Sequence, residues 1–519
     1  MPDAPPTHSL SGLDKGLFVA AFGALCVLLA VKLLTTATRF ERPGEMTWPA
    51  TANVYVARRV QQGGAVYGDW RERPHVPAWY GPALYLPVAH IGRWIDGNEH
   101  DLFIIGRWIS LLSVLGTAGL IVWLLQVQWP VPRAIAVMMG LVFVTADAVL
   151  ADLDISFRPD APTCFLTVLG LALAVCAGGP SYLYGSAVAF LLAFLYKQSS
   201  VIGPPAVVLW LWLSGRRAQA THYAALTVVL FVGVVFLLGT ITSGRYFLNA
   251  VEALKGNATL ENVPMLMLKA ARLAVLPMTV ACFAIFVDAS RWKRDLVAIL
   301  FVFTLLLAVA GTYRDGSDIY YYMLPLAIAC LLSGRALGRW FEQRSTASAA
   351  AVAFTLSIAL AAVRYVPEAT HRLAELPDRC REFSQRRQAN RARADFFSRL
   401  ADYLNGLSGP VLCQFNTMGV HCPHSILIDT LTFTSMADVG VFDDQPLIDQ
   451  IRQGRVAAIV LNPRATGRYQ STDMFSRRWR EAMVGRYGRV KVPGLEVAHI
   501  YRPIRHAAPR PDGAQQPPR

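Results

Sequence analysis

Several charged residues of this chain stand next to long apolar stretches, where a charge is costly and a functional role is the default expectation. Glu45 follows the first apolar stretch, Arg158 and Asp160 close the segment 152–160 (DLDISFRPD), and Lys197 follows another apolar stretch. Carboxylates beside guanidinium and ammonium groups suit one task in particular. The cations hold a phosphate leaving group while a carboxylate takes a proton from an attacking hydroxyl.

Other charged residues between apolar stretches have a simpler interpretation. Asp152, Asp315 and Asp318 also lie between apolar stretches, and each could simply mark the water interface. The carboxylates could also share a divalent cation, because hard cations prefer oxygen ligands. The residue types alone leave both readings open.

Composition shows what scaffold must position these residues. The chain has 519 residues, of which 54% are hydrophobic and 16% charged, with a mean hydropathy of +0.37. Charged residues make up about a quarter of a soluble globular chain, and stretches of about 20 apolar residues indicate membrane spans. A soluble globular protein is therefore excluded. The net charge of +14 favours anionic membrane lipids and phosphorylated substrates as partners,. The sequence contains no recognisable nucleic-acid-binding motif, so nucleic acid is the weaker alternative.

Hydropathy predicts about eleven membrane spans. The first, near 16–36, has no small-residue cleavage site after it and is predicted to be a retained anchor,. The other spans are predicted near 102–126, 134–150, 161–178, 183–199, 200–213, 223–241, 268–288, 296–312, 320–334 and 347–363.

The distribution of Lys and Arg predicts the orientation, because cytoplasmic loops are enriched in both. With residues 1–15 in the cytoplasm, the basic positions 133, 216–217, 291–294 and 335–344 all fall inside. The loop 37–101 and everything after Tyr365 then lie in the periplasm of a cell inner membrane. The loop breaks the charge rule with seven arginines. We interpret them as functional; the alternative is that long loops translocate whatever their charge.

The predicted fold class is mainly α: a polytopic membrane helical bundle, N-terminus in and C-terminus out, with a small extracytoplasmic α/β domain. The bundle occupies 16–365, and its loop 37–101 holds a helix at 50–61 and an interfacial stretch at 79–95 interrupted by two prolines,. Residues 366–505 alternate strand and helix patterns, with strands predicted near 411, 457 and 496 and a helix near 474–487,. Residues 506–519 are Pro-rich and predicted to be disordered,.

Two cysteines of the α/β domain lie near histidines. Cys413 and Cys422 could bind zinc together with His421 and His424. In an oxidising outer compartment, a disulfide or two buried thiols is the favoured reading.

The order of motifs resembles the GT-C superfamily of integral-membrane glycosyltransferases, which use lipid-phosphate sugars. The similar features run through most of residues 10–365: Glu45 after the first span, 55–67 (YVARRVQQGGAVY), 80–85 (YGPALY), 106–110 (GRWIS), 158–160 (RPD), 197–199 (KQS) and 316–322 (GSDIYYY). Many members carry a paired acid after the first span, whereas Gly44 precedes Glu45 here. That departure leaves Glu45 as the candidate base, helped by Asp160. No cofactor is implied with certainty, and a divalent metal stays an alternative.

The resemblance implies a glycosyltransferase that moves a sugar from a polyprenyl-phosphate donor to a glycan, lipid or protein acceptor at the periplasmic face. It implies catalytic roles for Glu45 and Asp160. The residues it implies for the donor phosphate and sugar are Arg58, Arg71, Arg73, Tyr80, Asp154, Arg158 and Lys197. The alternative class is a transporter or flippase for an anionic lipid-linked glycan. Transporters usually show internal repeats and charges in the middle of spans, and neither is evident in this sequence.

Overall fold

A computed structural model describes residues 12–44, 46, 49–146, 155–176, 179–255, 262–287, 294–312, 319–343, 348–462 and 475–504. The chain divides into two compact units. Unit 1 comprises Met1–Gly68 and Ala78–Arg391, and unit 2 comprises Asp69–Pro77 and Ala392–Arg519. Five of the carboxylates singled out above, and the predicted disordered tail, lie outside the described residues: Glu45, Asp152, Asp154, Asp315, Asp318 and 506–519.

Unit 1 consists of helices. They are α1 (Gly12–Phe40), α2 (Ala50–Gln61), α3 (Pro82–Trp94), α4 (Glu99–Val127), α5 (Arg133–Thr145), α6 (Asp160–Val175), α7 (Pro180–Tyr196), α8 (Gly203–Leu213), α9 (Arg217–Ile241), a short α10 (Arg245–Phe247), α11 (Asn262–Val287), α12 (Leu296–Thr312), α13 (Met323–Gln343) and α14 (Ser348–Ala374). A further helix, α15 (Leu376–Asn405), begins in unit 1 and continues into unit 2.

Within the described residues, each predicted span overlaps one of these helices, because an apolar chain in lipid must satisfy its backbone hydrogen bonds internally. Five helical segments among the described residues are long and apolar enough to cross a membrane: Gly12–Ala37, Glu99–Val127, Arg217–Ile241, Tyr320–Gln343 and Ala349–Ala374. Six shorter apolar helices account for the rest of the predicted spans. The mainly helical membrane fold is therefore confirmed, and the number of crossings stays a prediction.

Burial separates the centre of the bundle from its edge. The most apolar stretch of α13 is 83% buried, and this helix contacts α4, α5, α11, α12 and α14. The corresponding stretch of α9 is only 6% buried. Large apolar side chains such as Val229 and Phe236 are exposed there, as expected for a helix that faces lipid. Helix α13 therefore lies in the core of unit 1, and α9 lies at its edge.

The segment between α1 and α4 is structured, as the sequence predicts. The helix expected at 50–61 is present as α2, and the stretch with two prolines forms α3, with Pro82 in its first turn,. The start of α4 is fixed by Asn98, whose side chain accepts hydrogen bonds from the backbone of His100 and Asp101. The carboxylate of Asp101 accepts in return from the Asn98 backbone at 2.8 Å,.

The buried side chain of Asn249 joins the two ends of an excursion of the chain, residues 69–77. Nδ2 of Asn249 donates to the Gly68 carbonyl at 2.7 Å, and the Ala78 backbone N–H donates to its Oδ1 at 2.8 Å. Residues 69–77, between these two contacts, leave unit 1 and belong to unit 2.

Unit 2 is an α/β domain built on a four-stranded sheet of order β1-β2-β4-β3. Strand β1 (Val411–Cys413) pairs in parallel with β2 (Ala458–Leu461), and β4 (His499–Pro503) pairs antiparallel with both β2 and β3 (Tyr487–Val490). Its helices after α15 are α16 (Met418–His421), α17 (Thr430–Asp438), α18 (Gln445–Arg452) and α19 (Arg477–Met483).

The strands predicted near 411, 457 and 496 are present, and the helix predicted near 474–487 is shorter. It ends at Met483 because Tyr487 begins β3, where its hydroxyl donates to the Val456 carbonyl at 3.0 Å. Cys413 and Cys422 are free thiols buried in the core of this unit. Burial raises the pKa of the Cys413 thiol to about 12, which disfavours the thiolate that a metal would need.

The excursion 69–77 is an integral part of unit 2. The His75 backbone N–H donates to the Ile426 carbonyl at 3.0 Å, and Ile428 N–H donates to the His75 carbonyl at 3.3 Å. Trp70 is 1% exposed and packs against Phe433. One folded unit occupies one side of a membrane, so an even number of crossings must separate residue 77 from residue 392. The ten spans predicted between them meet that condition.

We expect Trp70→Ala to lower the stability of unit 2 by about 3–5 kcal/mol, the usual cost of removing a buried large aromatic side chain. Trp94→Ala is the matched control, because Trp94 is 87% exposed. Thermal unfolding of the purified full-length protein in detergent measures both. Equal effects of the two substitutions would show that residues 69–77 do not belong to the folded core of unit 2.

Candidate active site

Three charged side chains of unit 1 form one buried ion-pair network. Nε of Arg158 lies 2.9 Å from Oδ2 of Asp160, and Nζ of Lys197 lies 2.6 Å from Oδ1 of the same carboxylate. The exposed fractions of the three side chains are 3%, 4% and 12% in that order. Each carboxylate oxygen is therefore engaged by one cation, and the network keeps a net charge of +1.

Tyrosine rings cover the two cations. The Arg158 guanidinium lies 4.1 Å from the centre of the Tyr320 ring, and Nζ of Lys197 lies 4.9 Å from Tyr320 and 4.4 Å from Tyr321. Such cation–π contacts stabilise a desolvated cation by about 2 kcal/mol. Burial lowers the pKa of Arg158, but the negative charge of Asp160 outweighs burial, so the net pKa is raised and Arg158 stays charged.

Two hydrogen bonds from neighbouring helices hold the segment that carries Arg158. The hydroxyl of Ser110 in α4 donates to the Ser156 carbonyl at 2.6 Å, and Nδ2 of Asn53 in α2 donates to the Phe157 carbonyl at 2.8 Å. Asp160 then opens α6. These two hydrogen bonds therefore fix the backbone that carries Arg158 and Asp160 at the start of α6.

The turn 79–81 holds the segment that carries Lys197. Nε2 of Gln198 donates to the Trp79 carbonyl at 3.1 Å. A side chain at Gly81 would place its Cβ 2.0 Å from the Leu195 carbonyl oxygen, so only glycine permits this approach. Between these contacts lies Tyr80, whose hydroxyl is close enough to feel the charges of the network, although burial is the largest cause of its raised pKa.

A small cavity of about 40 Å³ adjoins the network. Its lining includes Asp160, Lys197, Ser199, Tyr320 and Tyr321. That volume accommodates ordered water molecules.

The other predicted donor-binding arginines have contacts of their own in the structure. Arg58 donates to the Gly97 carbonyl at 3.1 Å and pairs with Glu99 at 3.3 Å, so it joins α2 to the start of α4. Arg71 and Arg73 belong to the segment of unit 2, where Arg71 stacks on Trp70 and Arg73 bonds Gln450. The structure thus brings Tyr80, Arg158, Asp160 and Lys197 together. Glu45 and Asp154 lie outside the described residues.

The chain just before Glu45 is held by a buried arginine of α4. Arg107, which is 1% exposed, donates to three backbone carbonyls: Phe40 at 2.6 Å, Arg42 at 2.8 Å and Gly44 at 2.6 Å. Gly44 itself has a left-handed backbone conformation, with φ of +76°, which glycine adopts without strain. This conformation favours glycine where many GT-C members carry a second acid.

The sequence alone assigns no role to Arg107, Tyr320 and Tyr321, although all three belong to its motifs. The signal for Arg107 was a single arginine inside a long apolar helix, a costly placement that implies buried acceptors. The signal for the tyrosines was a run of three at the start of an apolar span. No group of three His, Cys, Asp or Glu side chains that could bind a metal occurs in the part of the chain that the structure describes.

We expect Arg107→Lys to loosen the segment 40–44, because a single ammonium cannot reproduce the fork by which two guanidinium nitrogens reach three separate carbonyls,, and each unsatisfied buried acceptor costs about 1–3 kcal/mol. Hydrogen–deuterium exchange of the peptide that ends α1 should become faster. Arg93→Lys is the control, since Arg93 also donates to two carbonyls, those of Val60 and Gln61, away from this segment. Unchanged exchange at 40–44 in Arg107→Lys would contradict the assignment.

Comparison with known proteins gives the fold. No protein-family model matches the sequence, and no curated protein matches it. Among solved structures, ArnT from Cupriavidus metallidurans in the apo state aligns with a TM-score of 0.52 at 14% identity, over 93% of this chain and 98% of that one. ArnT bound to undecaprenyl phosphate aligns with a TM-score of 0.51 at 13% identity, over 92% and 98%. ArnT is a GT-C glycosyltransferase, and the fold of this chain is the GT-C fold.

Proposed function

We propose that this protein is a membrane glycosyltransferase that moves a sugar from a polyprenyl-phosphate donor to an envelope acceptor at the periplasmic face of the inner membrane. The observation that carries the proposal is the buried network of Arg158, Asp160 and Lys197 at one end of a GT-C bundle. The similarity to ArnT with bound undecaprenyl phosphate supports a lipid phosphate as the ligand of this end.

The network suits a phosphate because its charge is not balanced. Two cations face one carboxylate, and burial makes the remaining positive charge costly without a further anion. The Lys197 ammonium has three N–H donors and directs one to Asp160,. The other donors are available to phosphate oxygens. Tyr320 and Tyr321 keep water from the cations and so strengthen the attraction for an anion,.

In the proposed reaction, the oxygen of an acceptor hydroxyl forms a bond with the anomeric carbon of the sugar. The bond between that carbon and the donor phosphate oxygen breaks, and its electron pair stays on the phosphate. The hydroxyl proton passes to the Glu45 carboxylate. The leaving phosphate gains one negative charge, so Lys197 and Arg158 stabilise the transition state more than the bound donor.

The two carboxylates divide the work in this proposal. Both oxygens of Asp160 already bind cations, so Asp160 orients Lys197 and Arg158 and is a poor proton acceptor. Glu45 follows directly on Gly44, which Arg107 holds. Glu45 is thus the proposed base, and Asp160 assists it through the cations. Tyr80 lies beside the network and is proposed to contact the donor.

We expect Glu45→Gln to nearly abolish sugar transfer, by about 10²–10⁴-fold, because it keeps the shape of the base and removes its charge. Mass spectrometry of cell-envelope glycans, in a strain that lacks this chain and is complemented with each variant, measures the transfer. Glu41→Gln is the matched control: Glu41 is exposed, in the same loop, and pairs only loosely with Arg387 at 3.8 Å. It should restore the wild-type glycans.

Two outcomes would contradict the proposal. Full activity of Glu45→Gln together with an inactive Asp160→Asn would show that the base is Asp160 and not Glu45. Accumulation of the lipid-linked donor on the cytoplasmic side of the membrane, in the strain that lacks this chain, would identify a flippase, because loss of a transferase leaves the donor at the periplasmic face.

A further inference from the structure

A second basic cavity lies in unit 1, away from the proposed active site. Its volume is about 310 Å³, within the lower range of ligand-binding pockets. Its polar lining comes from Arg294, Asp295, Arg335 and Arg339. The rest of the lining is apolar or aromatic and includes Trp129, Val175, Trp210, Ala284, Ile285 and Leu332.

The two sites lie at opposite ends of the same helices. Asp160 begins α6 beside the active-site network, and Val175 ends it beside the second cavity, about 22 Å away at 1.5 Å per residue,. In α13, Met323 lines the first cavity and Arg335 lines the second, about 18 Å further along,. The second cavity therefore faces the opposite membrane surface.

Charge at this cavity is strongly unbalanced. Three guanidinium groups face one carboxylate, and that carboxylate is already engaged. Asp295 accepts a hydrogen bond from the Val297 backbone at 3.0 Å, at the start of α12, and pairs with Arg335 at 2.7 Å. The guanidinium groups of Arg294 and Arg339 line the same cavity, so its lining carries more positive than negative charge.

Two tryptophans frame the cavity. The Arg335 guanidinium lies 4.6 Å from the Trp129 ring centre, and Nε1 of Trp210 donates to the Arg294 carbonyl at 3.1 Å. Arg216 also lies over Trp210, at 5.3 Å. Tryptophan and arginine side chains of this kind occur at the level of lipid headgroups.

From this arrangement we infer that the cavity binds the phosphate headgroup of an anionic phospholipid from the leaflet opposite the active site. Basic pockets between membrane helices bind such headgroups. Apolar lining from Ala284, Ile285 and Leu332 provides contact for the glycerol backbone and the acyl chains, which favours a lipid over free phosphate. The site is independent of sugar transfer and would bind lipid in an inactive variant as well.

The test measures lipid binding by the purified full-length protein in neutral detergent. Short-chain phosphatidylglycerol, phosphatidylcholine and inorganic phosphate are titrated separately and followed by native mass spectrometry and thermal unfolding. We expect phosphatidylglycerol alone to bind and to raise the melting temperature. Arg294→Gln and Arg339→Gln should each weaken its binding about tenfold, since each loses a charge-assisted hydrogen bond.

Arg133→Gln is the matched control, because Arg133 begins α5 directly after the turn that carries Trp129 and does not line the cavity. It should leave the affinity unchanged. Equal binding of phosphatidylglycerol and phosphatidylcholine, or an equal loss in Arg133→Gln, would overturn the proposal. Binding of inorganic phosphate as tight as that of phosphatidylglycerol would overturn the assignment to a lipid.

Discussion

One interaction organises the candidate active site: the Asp160 carboxylate pairs with both Arg158 and Lys197 inside the helix bundle. Removing three charges from water costs several kcal/mol per ion, and only close contacts between them repay that cost. With Asp160 in place, two cations remain buried and charged. In the proposed function, the donor phosphate would add a second anion beside these cations, so binding of the donor would stabilise the site.

The rest of unit 1 positions this network. Helix α4 contacts both sides of the proposed site, because Ser110 holds the segment before Arg158 and Arg107 holds the segment before Glu45. These two residues lie three positions apart and so project from neighbouring positions on one helix face. A single helix thereby aligns the loop of the proposed base with the cations of the proposed phosphate site.

The sequence predicted the helical bundle and the strands of unit 2 because long apolar stretches and alternating patterns depend on local composition. It also singled out Arg158, Asp160 and Lys197, since charges beside apolar stretches are costly. It could not predict that residues 69–77 belong to unit 2, because the pairing of His75 with Ile426 joins segments about 350 residues apart. Nor could it predict the partners of Arg58, because its contacts with Gly97 and Glu99 are known only from the fold.

The most direct test of the central claim is the affinity of the purified protein for undecaprenyl phosphate, measured for the wild type, Lys197→Gln and the exposed control Lys255→Gln. We expect binding at least about tenfold weaker for Lys197→Gln, because a charge-assisted hydrogen bond to phosphate is lost. Binding by Lys255→Gln should be unchanged. Lys197→Arg, which keeps the charge, should recover part of the affinity. Wild-type affinity in a folded Lys197→Gln variant would contradict the phosphate site.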